Sequence, residues 1–268
     1  MKLAPIFSAA LMLIAAACTG LDPHPRGDNY EASVKQGDEA RQAGNFDMAI
    51  PLYGRALQAN PQGIDAKLGL GQSYLSIGAS TEAAAQFRDV LAKRDSNLVA
   101  RRGLATALIG MGQPTLAEEQ VALVLQAEPS DYRALNVLGV ALDMQGRHAE
   151  AQANYRRAIQ LAPSYLPTRS NFGLSLAITG PPEEAVAQLA PIATSAGSDA
   201  RIRQNLALAY VMVGDFENAL HISRRDLNER SAQRQLYYFM QLRAMSVEQR
   251  SLEIRGNPNF MPQSGAGT

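Results

Sequence analysis

The chain has one cysteine, no tryptophan and very little lysine. A lone cysteine, Cys18, can form neither an intramolecular disulfide nor a multi-cysteine metal site. Lysine occurs only as Lys2, Lys35, Lys67 and Lys93, so nearly all positive charge is arginine. Neither sign of charge dominates: 25 basic groups stand against 25 acidic ones, for a formal net charge of zero. That balance argues against a general nucleic-acid binder, which needs a cationic face to neutralise phosphates. Catalytic signatures are missing as well. His24, His148 and His221 lie far apart in the sequence. Neither a GxGxxG phosphate loop nor an HExxH metal motif occurs. The carboxylate pairs Glu118-Glu119 and Glu183-Glu184 fall near expected helix starts, where they complement the helix dipole. The sequence therefore predicts no enzyme, no metal site and no cofactor.

What the chain does contain is a period. Gly44, Gly78, Gly112, Gly146, Gly180 and Gly214 are each 34 residues apart. Ala49, Ala83, Ala117, Ala151, Ala185 and Ala219 keep the same step. A third set is small throughout: Gly37, Gly71, Ala105, Gly139, Gly173 and Ala207. Six glycines at one phase would coincide by chance with odds on the order of 10⁻⁷, which makes the repeat the organising fact of the fold.

The step and the residue types resemble the tetratricopeptide repeat. Six ungapped units fit: 30–63, 64–97, 98–131, 132–165, 166–199 and 200–233. The resemblance implies an all-α solenoid of helix-turn-helix units, helix A then helix B. Small residues such as Gly139 and Ala151 let the two helices approach. A turn glycine ends helix A in a left-handed conformation. Pro61, Pro129 and Pro163 end B helices. No unit has the family's usual tryptophan, and Asp226 stands where Ala56 and Ala158 stand elsewhere. Residues 234–255 then predict a capping helix, centred on the amphipathic stretch Gln233–Met245, and residues 256–268 a disordered tail. The repeats and cap occupy residues 30 to about 250, which leaves no room for a catalytic domain.

The amino terminus reads differently. Met1-Lys2 is followed by an apolar segment to residue 17, of signal-peptide length and short of the ~20 residues that span a bilayer. Ala15-Ala16-Ala17-Cys18 resembles the lipobox of bacterial lipoprotein precursors. The resemblance implies a signal peptide over 1–17, lipidation of Cys18, and a flexible tether over 18–29. Thr19 after the cysteine favours the outer membrane under the sorting rule of enteric bacteria. Cleavage at an A-x-A site near Ala17, leaving a soluble periplasmic protein, is the other reading.

In such solenoids the concave face, lined by A helices, binds partners. The candidate groove residues are Arg102, Arg133, Asn136, Val140, Met144, Asn171, Leu174, Ile178, Arg201, Asn205, Leu208 and Met212. They predict an apolar floor, amides to hold a peptide backbone and arginines to hold carboxylates. An amphipathic helix or extended peptide would fit.

The segments RIRQNLALAYVMVGDFENAL (Arg201–Leu220), SRRDL (Ser223–Leu227) and LYYFMQLRAM (Leu236–Met245) look like the C-terminal part of TadD lipoproteins of tight-adherence (Flp) pilus systems. The resemblance implies a non-catalytic outer-membrane scaffold facing the periplasm and acting like a pilotin. Its partner would be the pilus secretin or another pilus-assembly protein. A lipoprotein scaffold for exopolysaccharide export shares anchor and repeats and is the alternative.

Overall fold

The computed structural model describes residues 26–256, and side-chain surroundings from 29 to 255. The expected signal peptide, Cys18, most of the expected tether and the expected tail beyond Gly256 lie outside these residues. The described residues form fourteen helices and no strand. Twelve of them pair into the six units. They are α1 (Arg26–Gln42) with α2 (Phe46–Ala59), α3 (Ile64–Ser76) with α4 (Ser80–Leu91), and α5 (Leu98–Gly110) with α6 (Pro114–Ala127). Then come α7 (Tyr132–Met144) with α8 (His148–Leu161), α9 (Leu166–Thr179) with α10 (Pro182–Ala193), and α11 (Ala200–Val213) with α12 (Phe216–Ser223). Each helix packs chiefly on its sequence neighbours, and each A helix also touches the next A helix. The B helices make no comparable contact with one another. The A helices are therefore the inner row of the solenoid.

Local chemistry sets the boundaries. Asn97, Asp131 and Asp199, each the last residue of a unit, cap the next A helix by accepting backbone N–H bonds from Ala100, Ala134 and Ile202. Five of the six turn glycines have positive φ, from 70° at Gly112 to 91° at Gly214. Gly180 is the exception, with extended backbone at φ −113° and ψ −160°. Pro181 follows it, and a residue before proline is pushed toward extended geometry.

Within a unit, the small residue of helix A meets the large one of helix B. A Cβ on Gly37 would lie 2.7 Å from the Tyr53 ring, and one on Gly71 would lie 2.8 Å from Phe87. Gly139 faces Tyr155 and Gly173 faces Leu189 in the same way. Where helix A carries alanine instead, the equivalent B-helix residue is smaller: Val121 for Ala105 and Ser223 for Ala207. The larger A-helix residue thus faces the smaller B-helix residue, the direction close packing favours.

Three features differ from the sequence reading. Helix α1 begins at Arg26, so the last residues of the expected tether are its first turn. Helix α12 has only 8 residues. Its chain stops short of Asp226, because a carboxylate could not take the buried place held by Ala56 and Ala158. Asp226 instead accepts two bonds of 2.6 Å from Arg203. The cap, expected as one helix over 234–255, is two: α13 (Glu229–Ala244) and α14 (Val247–Gly256). Helix α13 packs on α11 and α12, and α14 turns back to pack on α9.

Candidate protein-binding groove

The inner row is a candidate binding surface because helices stacked side by side leave a continuous face for a partner. Its two ends are unlike. Between α1 and α3 it is open, with a cavity of about 410 Å³ bordered by Glu31, Val34, Lys35, Asp38, Glu39 and Asp65. Four carboxylates against one lysine make this end acidic.

The other end holds the sequence-predicted residues, and most are covered. Val140, Leu174, Ile178, Leu208 and Met212 are all buried. Helix α13 lies on α11, the helix that carries Leu208 and Met212. A cavity of about 40 Å³ is enclosed where Met144, Leu174 and Ile178 meet Ile254 of α14. The amides are engaged between A helices. Asn171 donates to Asn136 at 3.0 Å, and Asn205 donates to the Ser170 hydroxyl at 3.1 Å. The Asn136 Nδ2 is buried and has no hydrogen-bond partner among the described residues. The arginines are spread out. Arg102 pairs with Asp131. Arg133 lies 4.9 Å over the Tyr132 ring and 5.6 Å from that of Tyr165. Arg201 is partly buried at the start of α11. The structure thus brings the apolar residues into one floor and commits the amides to the stack.

Sequence reasoning missed the polar centre of this site. Asp143, at the end of α7, accepts from the Tyr155 hydroxyl at 3.0 Å and from the Ser175 hydroxyl at 2.9 Å. His148 Nδ1 lies 2.8 Å from the same carboxylate, and His148 Nε2 lies 2.8 Å from the Ser251 hydroxyl of α14. Burial pushes the Asp143 carboxyl above the usual carboxylate range, and its bonds to His148, Ser175 and Tyr155 pull the other way. The Tyr155 hydroxyl is pushed well above its ordinary value, first by burial and then by the Asp143 charge.

Carboxylate, imidazole and hydroxyl stand in the order of a hydrolase relay. The surroundings do not support that chemistry. Ser251 is buried in the middle of α14. Its own N–H belongs to the helical ladder, so it forms no oxyanion pocket beside the hydroxyl. The 40 Å³ cavity is far below the few hundred Å³ of a substrate pocket. The cluster acts as a clasp that holds α14 to α7 and α8.

Among the described residues no group of three or more His, Cys, Asp or Glu side chains could hold a metal ion. No described helix is long and apolar enough to cross a membrane.

Known proteins place this architecture. The tetratricopeptide-repeat family model matches residues 34–97 and 102–165, within the first four units. No curated protein matches the chain. Among solved structures, a tetratricopeptide-repeat protein from Parabacteroides merdae is similar at TM-score 0.65 and 17% identity, over 79% of this chain and 84% of that one. A thermophilic repeat protein of Thermus thermophilus has a TM-score of 0.60 and 23% identity, over 68% and 99%. The pilF protein of Pseudomonas aeruginosa has a TM-score of 0.57 and 18% identity, over 74% and 90%. At these identities the likeness is one of fold. The first four units are thus similar in sequence to the tetratricopeptide repeat, and the helical stack of the described residues continues that fold through all six units.

Proposed function

We propose that the protein is a non-catalytic scaffold that binds a helical segment of a partner protein along its inner row of A helices. The observation that carries this reading is the placement of α14. A helix already lies against α9, with its apolar side chain on the predicted floor. A surface that accepts one helix of its own chain has the shape and chemistry to accept another.

The scaffold's place in the cell is the further part of the proposal. The lipobox-like sequence before Cys18 supports a lipid anchor in the outer membrane. The likeness of residues 201–245 to TadD lipoproteins supports a role in tight-adherence pilus assembly. Together they suggest a pilotin-like protein that escorts the secretin and shields a segment of it from aggregation. Several acyl chains at Cys18, each buried CH₂ adding about 0.8 kcal/mol, would make such attachment durable.

Affinity purification from envelope extracts tests the partner. Secretin should co-purify with the protein, and secretin levels should fall in a deletion strain. Normal secretin levels and no recovery would overturn the pilus assignment. Labelled fatty acid tests the anchor: Cys18→Ser should abolish incorporation, and a wild type that incorporates none would overturn lipidation.

A further inference from the structure

The C-terminal helix reaches the groove with few residues, and each has a defined receiver. Ser251 and Ile254 are the buried residues of α14, while Leu252 on its outer side is largely exposed. Ser251 meets His148 at 2.8 Å. Ile254 closes the cavity above Leu174 and Ile178. Two arginines complete the contact. Arg250 donates to the carbonyl of Ile178 at 2.8 Å, and Arg255 donates to the carbonyl of Met144 at 2.9 Å. Ile178 and Met144 lie in the last turns of α9 and α7, where carbonyls lack helical partners and the dipole is negative. Five residues of helix rise about 7.5 Å. Packed helices lie about 8–10 Å apart. A guest helix with two arginines at this spacing can therefore cap two successive A helices at once.

We propose that α14 is a resident guest that closes the groove of units four and five, and that the partner is a helix of the same chemistry that displaces it. Such a helix carries two arginines five residues apart, with a small hydroxyl and a branched aliphatic residue facing the same side between them. This inference rests on the reading of the inner row as a helix receptor and adds what the receptor recognises and what blocks it.

Several features support displacement over a permanent fixture. A ten-residue helix is shorter than the ~12–15 residues needed for stability alone, so α14 is held by docking. Its buried side is narrow: Ser251 and Ile254 are buried, Arg250 is partly buried and Arg255 is exposed. It also pays nothing to find its site, being tethered to α13 through a short turn at Met245 and Ser246. An incoming helix competes against that tether, and its apparent affinity falls by the fraction of time the groove stands open.

The test uses the full chain and a fluorescent peptide of residues 246–256. Full-length wild type is compared with full-length Ile254→Asp, whose new carboxylate would face the cavity beside Asp143. The peptide should bind the variant and bind wild type at least about tenfold more weakly. The same peptide carrying Ile254→Asp should bind neither. A folded variant, checked by circular dichroism, that fails to bind the wild-type peptide overturns the proposal. Equal binding to wild type and variant overturns the closed groove. If Ile254→Asp does not fold, the double variant Arg250→Gln/Arg255→Gln leaves the floor intact and should give the same ordering. The peptide measurement involves no secretin, so loss of the pilus assignment leaves it unchanged.

Discussion

The two halves of the inner row share a scaffold and differ in what they show to a partner. At the ninth position of each unit the first half carries Asp38, Gln72 and Thr106, and the second carries Val140, Leu174 and Leu208. At the thirteenth, Gln42, Ser76 and Gly110 stand against Met144, Ile178 and Met212. Among the described residues nothing covers the polar half, and the apolar half receives α13 and α14. Repetition fixes the helices, because a small residue of helix A meets the same B-helix position in every unit. It leaves the inner positions free to vary, and there the second half acquired a floor that needs a cover. Exposed, that floor would be the kind of apolar patch that marks an interaction site.

Substitutions at matched positions should separate the halves. The largest difference is expected on the floor. Leu174→Asp would bury an unpaired charge and should lower stability by about 3–5 kcal/mol, read by urea denaturation. Gln72→Asp, at the same repeat position in the first half, should cost under about 1 kcal/mol. Similar losses for both would erase the contrast. Next come two tyrosines at the same repeat position. The Tyr155 hydroxyl donates to buried Asp143, and the Tyr53 hydroxyl donates at 2.6 Å to Asp38, whose side chain is 42% exposed. Tyr155→Phe should cost about 1.5–3 kcal/mol and Tyr53→Phe about 0.5–1.5 kcal/mol. A smaller effect, about 1 kcal/mol, is expected from Arg255→Gln, with its loss of protection confined to α14. Lys35→Gln in the open half should change stability by less than about 0.5 kcal/mol.

The subtlest contrast is in alkaline titration. Burial, followed by the bond to Asp38, pushes the Tyr53 hydroxyl up to about 12. The unfolded chain loses this proton near the ordinary tyrosine value, before the folded one does. The contribution to stability is therefore full below that value and lost as pH climbs toward about 12. Burial and the Asp143 charge push the Tyr155 hydroxyl the same way. Ultraviolet difference titration of each Tyr→Phe variant would assign the two steps.

The repeat made most of the fold legible before any coordinates. Its step gave the units, the turn glycines gave the ends of the A helices, and the small set gave the close helix pairs. Gly180 departed because its neighbour is Pro181, a local cause visible in the sequence but outweighed in the reading by the repeat. Asp226 was seen as irregular, and its consequence, a shortened α12, follows from the cost of burying a carboxylate. The site was harder to read. The floor residues stand out by type, but the Asn136–Asn171 and Asn205–Ser170 contacts join adjacent units and turn apparent ligands into parts of the stack. The docking of α14 was not legible at all. VEQRSLEIRG presents no broad apolar face, and the His148–Ser251 contact joins residues 103 apart in the chain. Such a contact depends on where the solenoid's curvature carries its end, which no local pattern encodes.

Hydrogen exchange of the α14 amides in the full-length protein would show whether the inner row of units four and five is a receptor closed by α14. Free in solution a helix of this length would exchange nearly as fast as unfolded chain. Residues 250–255 should be clearly protected in wild type and lose that protection in Ile254→Asp, while α7, α9 and α11 stay protected. Unprotected exchange across α14 in the wild type would contradict it.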